Sequence, residues 1–96
     1  MNVFIYSRKV ESDQQEALGD LLYHLLRRGV KLFVQDRFLP YVSNRFEWRG
    51  QLVVLQDLSE LAQMDFVLSV GGDGTILEVA RLLSGTKVPV LGLNSG

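Results

Sequence analysis

Apolar positions along the chain follow two periods. Val3-Phe4-Ile5-Tyr6-Ser7 is a β-branched and aromatic run suited to a buried strand. Leu18, Leu21, Leu22, Leu25 and Leu26 then recur at i, i+3, i+4, i+7 and i+8, the stripe of an amphipathic helix. Ser12, with Gln15 at capping-box spacing, predicts where that helix starts. Gly29 predicts where it stops, as the left-handed residue beyond its last turn. Residues 30–34 form a second apolar run. The order strand, helix, strand at this spacing predicts a right-handed parallel unit.

Residues 37–51 carry Pro40, four aromatics and three arginines without a clean period, which predicts a short helix and a surface loop. Residues 52–55 fit a short strand. Asp57 and Glu60 repeat the capping-box spacing and predict a one- or two-turn helix running to about Met64. Residues 66–70 are the clearest buried strand. They run straight into Gly71-Gly72-Asp73-Gly74-Thr75, after which Ile76, Val79, Ala80 and Leu83 share one stripe of a second helix, ended by Gly85. Residues 88–91 start a last strand, with residues 92–96 as its exit loop. Strands alternating with helices call for an α/β, Rossmann-like open parallel sheet with helices on both faces.

Ninety-six residues make one domain or part of one. Ten Lys and Arg against eleven Asp and Glu leave a net charge of −1, which argues against a nucleic-acid partner and gives no basis for an electrostatic membrane anchor. With no cysteine, thiolate catalysis and Cys-ligated metals are excluded. No apolar run reaches the roughly 18 residues of a membrane span. The chain opens directly into a strand without a secretory signal, so a cytoplasmic location is expected. Ending on a strand and a glycine-rich turn, it reads as the N-terminal piece of a longer protein.

The informative segment is Gly71 to Thr75. In open parallel sheets, ligands bind where strands hand over to helices. Glycines allow close backbone approach, successive N–H groups form an anion nest, and a helix N-terminus adds unpaired donors and the positive end of its dipole. Asp73 cuts against a simple phosphate cradle. A carboxylate there repels phosphate unless it binds a bridging metal or accepts a proton from an attacking hydroxyl, and both roles belong to phosphoryl transfer. Thr75 and Glu78 have a non-catalytic explanation, since their spacing is that of a capping box. The Walker A pattern is absent, and so is the dinucleotide G-x-G-x-x-G, because Leu77 stands where the third glycine would be.

GGDGT after an apolar strand, then an apolar helix, then PVLGLNSG, resembles the N-terminal domain of the NAD kinases. GGDGT alone is shared with diacylglycerol and sphingosine lipid kinases, and phosphofructokinases carry a variant of it. Gly92, Asn94 and Gly96 match the Gly-x-Asn-x-Gly turn of NAD kinases and not the Pro-x-Gly-Thr-x-Asn-Asp pattern of the lipid kinases. The resemblance covers the chain as far as it goes, in a family roughly three times longer whose remainder is a β-rich domain. It implies transfer of the ATP γ-phosphate to the 2′-hydroxyl of the adenosine ribose of NAD, with Mg²⁺ as the metal partner of ATP and no tightly held protein metal. It implies that Asp73 is the proton acceptor and an NAD contact, and that Gly74 meets the dinucleotide through its backbone. It further implies that Gly71, Gly72 and Thr75 shape the phosphate-binding turn, and that Asn94 and Gly96 line the same crevice. It also implies a homo-oligomer, a 1–96 fragment inactive alone, and an exposed apolar patch. The rival readings are a lipid kinase and a non-catalytic nucleotide-binding module.

Elsewhere the residues point to structure. His24 stands beside the leucine stripe with no partner for a metal. Trp48, Phe46, Tyr41, Arg45 and Arg49 have the composition of a stacking platform, but packing against the sheet is the better reading. Arg27, Arg28 and Lys31 suit a helix C-terminus. Arg81 is expected on a solvated face.

Overall fold

The computed structural model describes residues 1–93, with Asp73 described in its backbone only. Five strands form one sheet: β1 (Asn2–Ser7), β2 (Lys31–Val34), β3 (Val53–Val54), β4 (Phe66–Val70) and β5 (Val90–Leu93). Their order is β3-β2-β1-β4-β5 and every pairing is parallel. Two α-helices, α1 (Gln15–Arg27) and α2 (Asp73–Leu82), lie on opposite faces. The alternation of strand side chains builds both faces at once. Val3 and Ile5 of β1 join Leu18 and Leu22 of α1, while Phe4 and Tyr6 join Val79 on α2 and Leu83 just beyond it. The sheet is covered on both sides, as the apolar runs anticipate.

Several boundaries differ from the sequence pattern. Ser12 does not cap α1. Residues 11–14 close a turn, with the Gln14 amide donating to the Glu11 carbonyl, and α1 begins after Gln14 without a side-chain cap. Gln15 donates instead to the Val10 carbonyl. The expected stripe of α2 is shifted: Val79 and Leu83 are buried, but Ile76 and Ala80 are exposed, and Thr75 takes the inward place one turn before Val79. Gly92 belongs to β5 and not to its exit loop, because the register carries pairing on to Leu93 opposite Val70. Gly29 and Gly85 both adopt the left-handed conformation past their helices, at φ +83° and +87°. The capping box at Asp57 forms in full, with Ser59 N–H donating to Asp57 and the Asp57 N–H donating to Glu60.

Residues 37–51, expected to be a short helix and a surface loop, also contribute buried side chains to the core. Two 3-10 helices occupy this segment, Asp36–Tyr41 and Glu47–Gln51. Arg49 ties them together, donating from Nε to the Val42 carbonyl and from Nη2 to the Leu39 carbonyl, both at 3.1 Å. Phe38, Val42 and Trp48 are buried on the α1 face, and Trp48 stacks on Phe46 with ring centroids 4.9 Å apart. Trp48 is 9% exposed, so the packing reading holds and it offers no platform to a base. His24 is exposed beside Tyr23, and Arg81 lies on a solvated face. The large apolar side chains left exposed include Leu91 and Leu93 of β5, at 53% and 40%.

Gly19, in the middle of α1, lets the Phe46 ring approach: a Cβ there would stand 2.8 Å from a ring carbon already pinned by Trp48. Helix propensity favours Ala over Gly by about 1 kcal/mol. The clash outweighs that gain, so Gly19→Ala is expected to lower the melting temperature in a thermal scan. A rise would show that Phe46 moves aside freely.

Candidate functional site

The site is set by the short step from β4 to α2. Only Gly71 and Gly72 separate them, so the chain must reverse from strand to helix in two residues. Gly71 does this at φ +143°, a conformation that side chains rarely adopt, while its amide still donates to the Leu93 carbonyl of β5. A Cβ on Gly71 would also fall 2.6 Å from the Thr75 hydroxyl. Thr75 is buried directly under the turn. It shapes the turn from below and presents nothing to solvent. Gly72 is the N-cap of α2, and its carbonyl receives the first helical amides, from Thr75 at 3.1 Å and Ile76 at 3.4 Å. The amides of Asp73 and Gly74 come before that first bond, at the positive end of the helix dipole and beside two exposed glycines. This is a surface suited to an anion.

The capping box read at Thr75 and Glu78 is not made. Thr75 stands inside the first turn, no side chain caps the helix, and Glu78 is engaged elsewhere. Its carboxylate accepts from Arg8 Nε at 2.6 Å. Arg8 follows β1 directly, and Ser7 at the end of β1 is in register with Val70 at the end of β4. The residues leaving the two strands are therefore neighbours, although β1 feeds a helix on one face and β4 a helix on the other. Arg8 also donates from Nη2 to the Gly74 carbonyl at 3.4 Å. Behind this pair, Tyr6 packs its ring in the core and accepts from Arg37 Nη2 at 3.0 Å, with the Arg37 guanidinium 5.4 Å from the ring centroid. Neither Arg8 nor Arg37 stands out in the sequence. The available signal is position, since each lies one to three residues beyond the C-terminal end of a parallel strand.

Hydrogen bonds from Arg8, then from Tyr6, hold the Glu78 carboxyl below the usual carboxylate range. Burial, then Glu78, raises the Tyr6 hydroxyl, with Arg37 acting in the opposite direction. Asn94 and Gly96, expected to line the crevice, lie outside the described residues, as does the Asp73 side chain. Among the described residues, no three His, Asp or Glu side chains gather where they could hold a metal ion. No described helix is long and apolar enough to cross a membrane.

Two outcomes follow. Gly71→Ala meets both an unfavourable φ and a clash, so it is expected to cost roughly 1–3 kcal/mol in chemical denaturation. A neutral result would mean that the turn relaxes at no cost. The second concerns acid. Because the folded state lowers the Glu78 pKa, the stabilisation is complete above the ordinary carboxylate value of about 4.3 and is lost as pH falls through the lowered one. Glu78→Gln is therefore expected to melt slightly below the parent at neutral pH and together with it in strong acid. The gap stays small because the pair is solvated, with side chains 58% and 38% exposed. A gap that persists in strong acid would assign the effect to packing.

Comparison with known proteins agrees with this geometry. The family model described as the ATP-NAD kinase N-terminal domain matches residues 53–96, from β3 through the glycine turn to the chain end. An NAD kinase of Porphyromonas gingivalis is 28% identical over 95 residues, covering 98% of this chain and 32% of the relative. An NAD kinase of Geobacter metallireducens is 31% identical over 94 residues, covering 98% and 30%. The crystal structure of yeast NADH kinase complexed with NADH superposes with a TM-score of 0.78 at 25% identity, over 99% of this chain and 31% of that one. The chain thus spans about a third of the length of the curated relatives it matches. A fully parallel sheet, a two-glycine step into α2 and these likenesses over almost every residue identify the chain as an N-terminal domain of the ATP-NAD kinase family.

Proposed function

We propose that the protein carrying this domain is an NAD kinase, transferring the γ-phosphate of ATP to the 2′-hydroxyl of the adenosine ribose of NAD. The observation that carries the reading is the turn from Gly71 to Thr75. It places exposed glycines and the first amides of α2 at the C-terminal edge of the sheet. The family likeness supports nicotinamide dinucleotide over lipid as the acceptor. In the proposed reaction the ribose 2′-oxygen forms a bond to the γ-phosphorus, the bond from that phosphorus to the β-bridging oxygen breaks, and ADP leaves. Asp73 takes the proton of the attacking hydroxyl and later yields it to solvent. An aspartate of ordinary pKa near 4 is a weak base, so its contribution is largely orientation of that hydroxyl.

The remaining residues act by placement. Gly72 and Gly74 keep the approach to the helix amides clear, so that phosphate oxygens reach backbone donors. Gly71 and Thr75 fix the turn. Gly74 meets the dinucleotide through its backbone, and Asn94 and Gly96 complete the crevice from the strand beyond. A Mg²⁺ ion arriving with ATP would keep phosphate and water as most of its ligands. Such an ion would neutralise charge on the transferring phosphoryl group.

The test is NADP formation from NAD and Mg·ATP by the full-length protein, with Asp73→Asn alongside. Robust turnover is expected from the parent. A loss of two to four orders of magnitude is expected in the variant at unchanged melting temperature, the usual scale for removing a positioned proton acceptor. Undiminished activity in the variant would return Asp73 to a helix-terminal role, and phosphorylation of a diacylglycerol in place of NAD would move the domain to the lipid kinases. The 96 residues alone are expected to give no turnover, because phosphoryl transfer depends on positioning both substrates.

A further inference from the structure

We propose that Arg8 is a phosphate-binding residue of this site and that Glu78 is its positioning residue. The inference deepens the kinase reading and rests on it for the identity of the nucleotide. It stands on the crevice between β1 and β4. These adjacent strands feed helices on opposite faces, so their exit segments diverge and leave an opening at the sheet edge. The glycine turn forms one wall of that opening, and Arg8 reaches across it from the other.

The guanidinium is fixed at two points of its fork. Nε is held by Glu78 at 2.6 Å and Nη2 by the Gly74 carbonyl at 3.4 Å. Nη1 has no protein partner among the described residues. It lies over Gly74, where a Cβ would stand 3.4 Å from it, so a larger side chain at 74 would press on the guanidinium. A cation held beside Gly74, in the first turn of a helix, can add a charged donor to the first amides of that helix around a phosphate. Glu78 stands four residues after Gly74 on the same helix, and so couples the arginine to the turn's geometry. As a surface ion pair alone the contact would contribute little to stability. Its value lies in holding a flexible side chain in place before the ligand arrives.

The test separates binding from folding. In the full-length protein, Arg8→Gln is expected to raise KM for Mg·ATP roughly ten- to hundredfold, the scale for losing hydrogen bonds to a charged group, with KM for NAD within about twofold. Glu78→Gln keeps the guanidinium but releases it, so a smaller rise in the same constant is expected. Arg8→Lys is expected to recover part of the loss. A KM for Mg·ATP unchanged from the parent in Arg8→Gln would overturn the proposal, as would a rise for NAD alone. Titrating tripolyphosphate into parent and Arg8→Gln protein by calorimetry distinguishes the two readings. Binding that weakens in the variant keeps Arg8 as a phosphate site even if no NADP is ever formed. Binding equal in both, or absent from both, removes the site whatever the acceptor proves to be.

Discussion

The site depends on a two-residue step. A buried parallel strand must become a helix within Gly71 and Gly72, and the space beneath that reversal is filled by the Thr75 side chain. Once Gly71 accepts a positive φ, the direction of α2 is set, and with it the aim of the first amides. Any residue with a Cβ at Gly71 would press on Thr75. A conformational constraint on one backbone dihedral thus precedes every electrostatic property of the crevice.

A second layer of order lies behind the turn. Arg37, Tyr6, Glu78 and Arg8 follow one another along the C-terminal edge of the sheet, drawn from the segment after β2, from β1, from α2 and from the segment after β1. Tyr6 anchors the series because its ring is part of the core. Within this series two arginines face one glutamate, while Asp36 adjoins Arg37 and Asp73 stands in the turn. This local balance is invisible in a net charge of −1 for the whole chain.

Much of the fold was legible in the sequence because its apolar spacing is strong. The run from Phe66 to Val70, the leucine stripe of α1 and the glycines at 29 and 85 each specify a local state without help from the rest of the chain. The errors fall where tertiary contacts decide. Residues 37–51 have no period because their order comes from Arg49 bonding two distant carbonyls and from Trp48 stacking on Phe46. Ile76 reads as inward on an ideal wheel, yet the sheet meets α2 along Thr75, Val79 and Leu83. At the site, the glycine turn was legible because glycine has a local meaning. The partnership of Arg8 with Glu78 was not, because it spans 70 residues and follows from strand order alone.

That separation has a consequence for how the domain comes into being. The sheet's central pairing joins β1 to β4, while the strand that follows β1 in the chain goes to its other edge. The first βαβ unit can form from local contacts as soon as it is made. The crevice cannot, because one of its walls waits for a loop of some sixty residues to close. Contacts of this reach slow the search for the native state, and they cannot precede the emergence of α2 during synthesis. That edge is therefore among the last features of the domain to be assembled, and its two walls are completed in a single event.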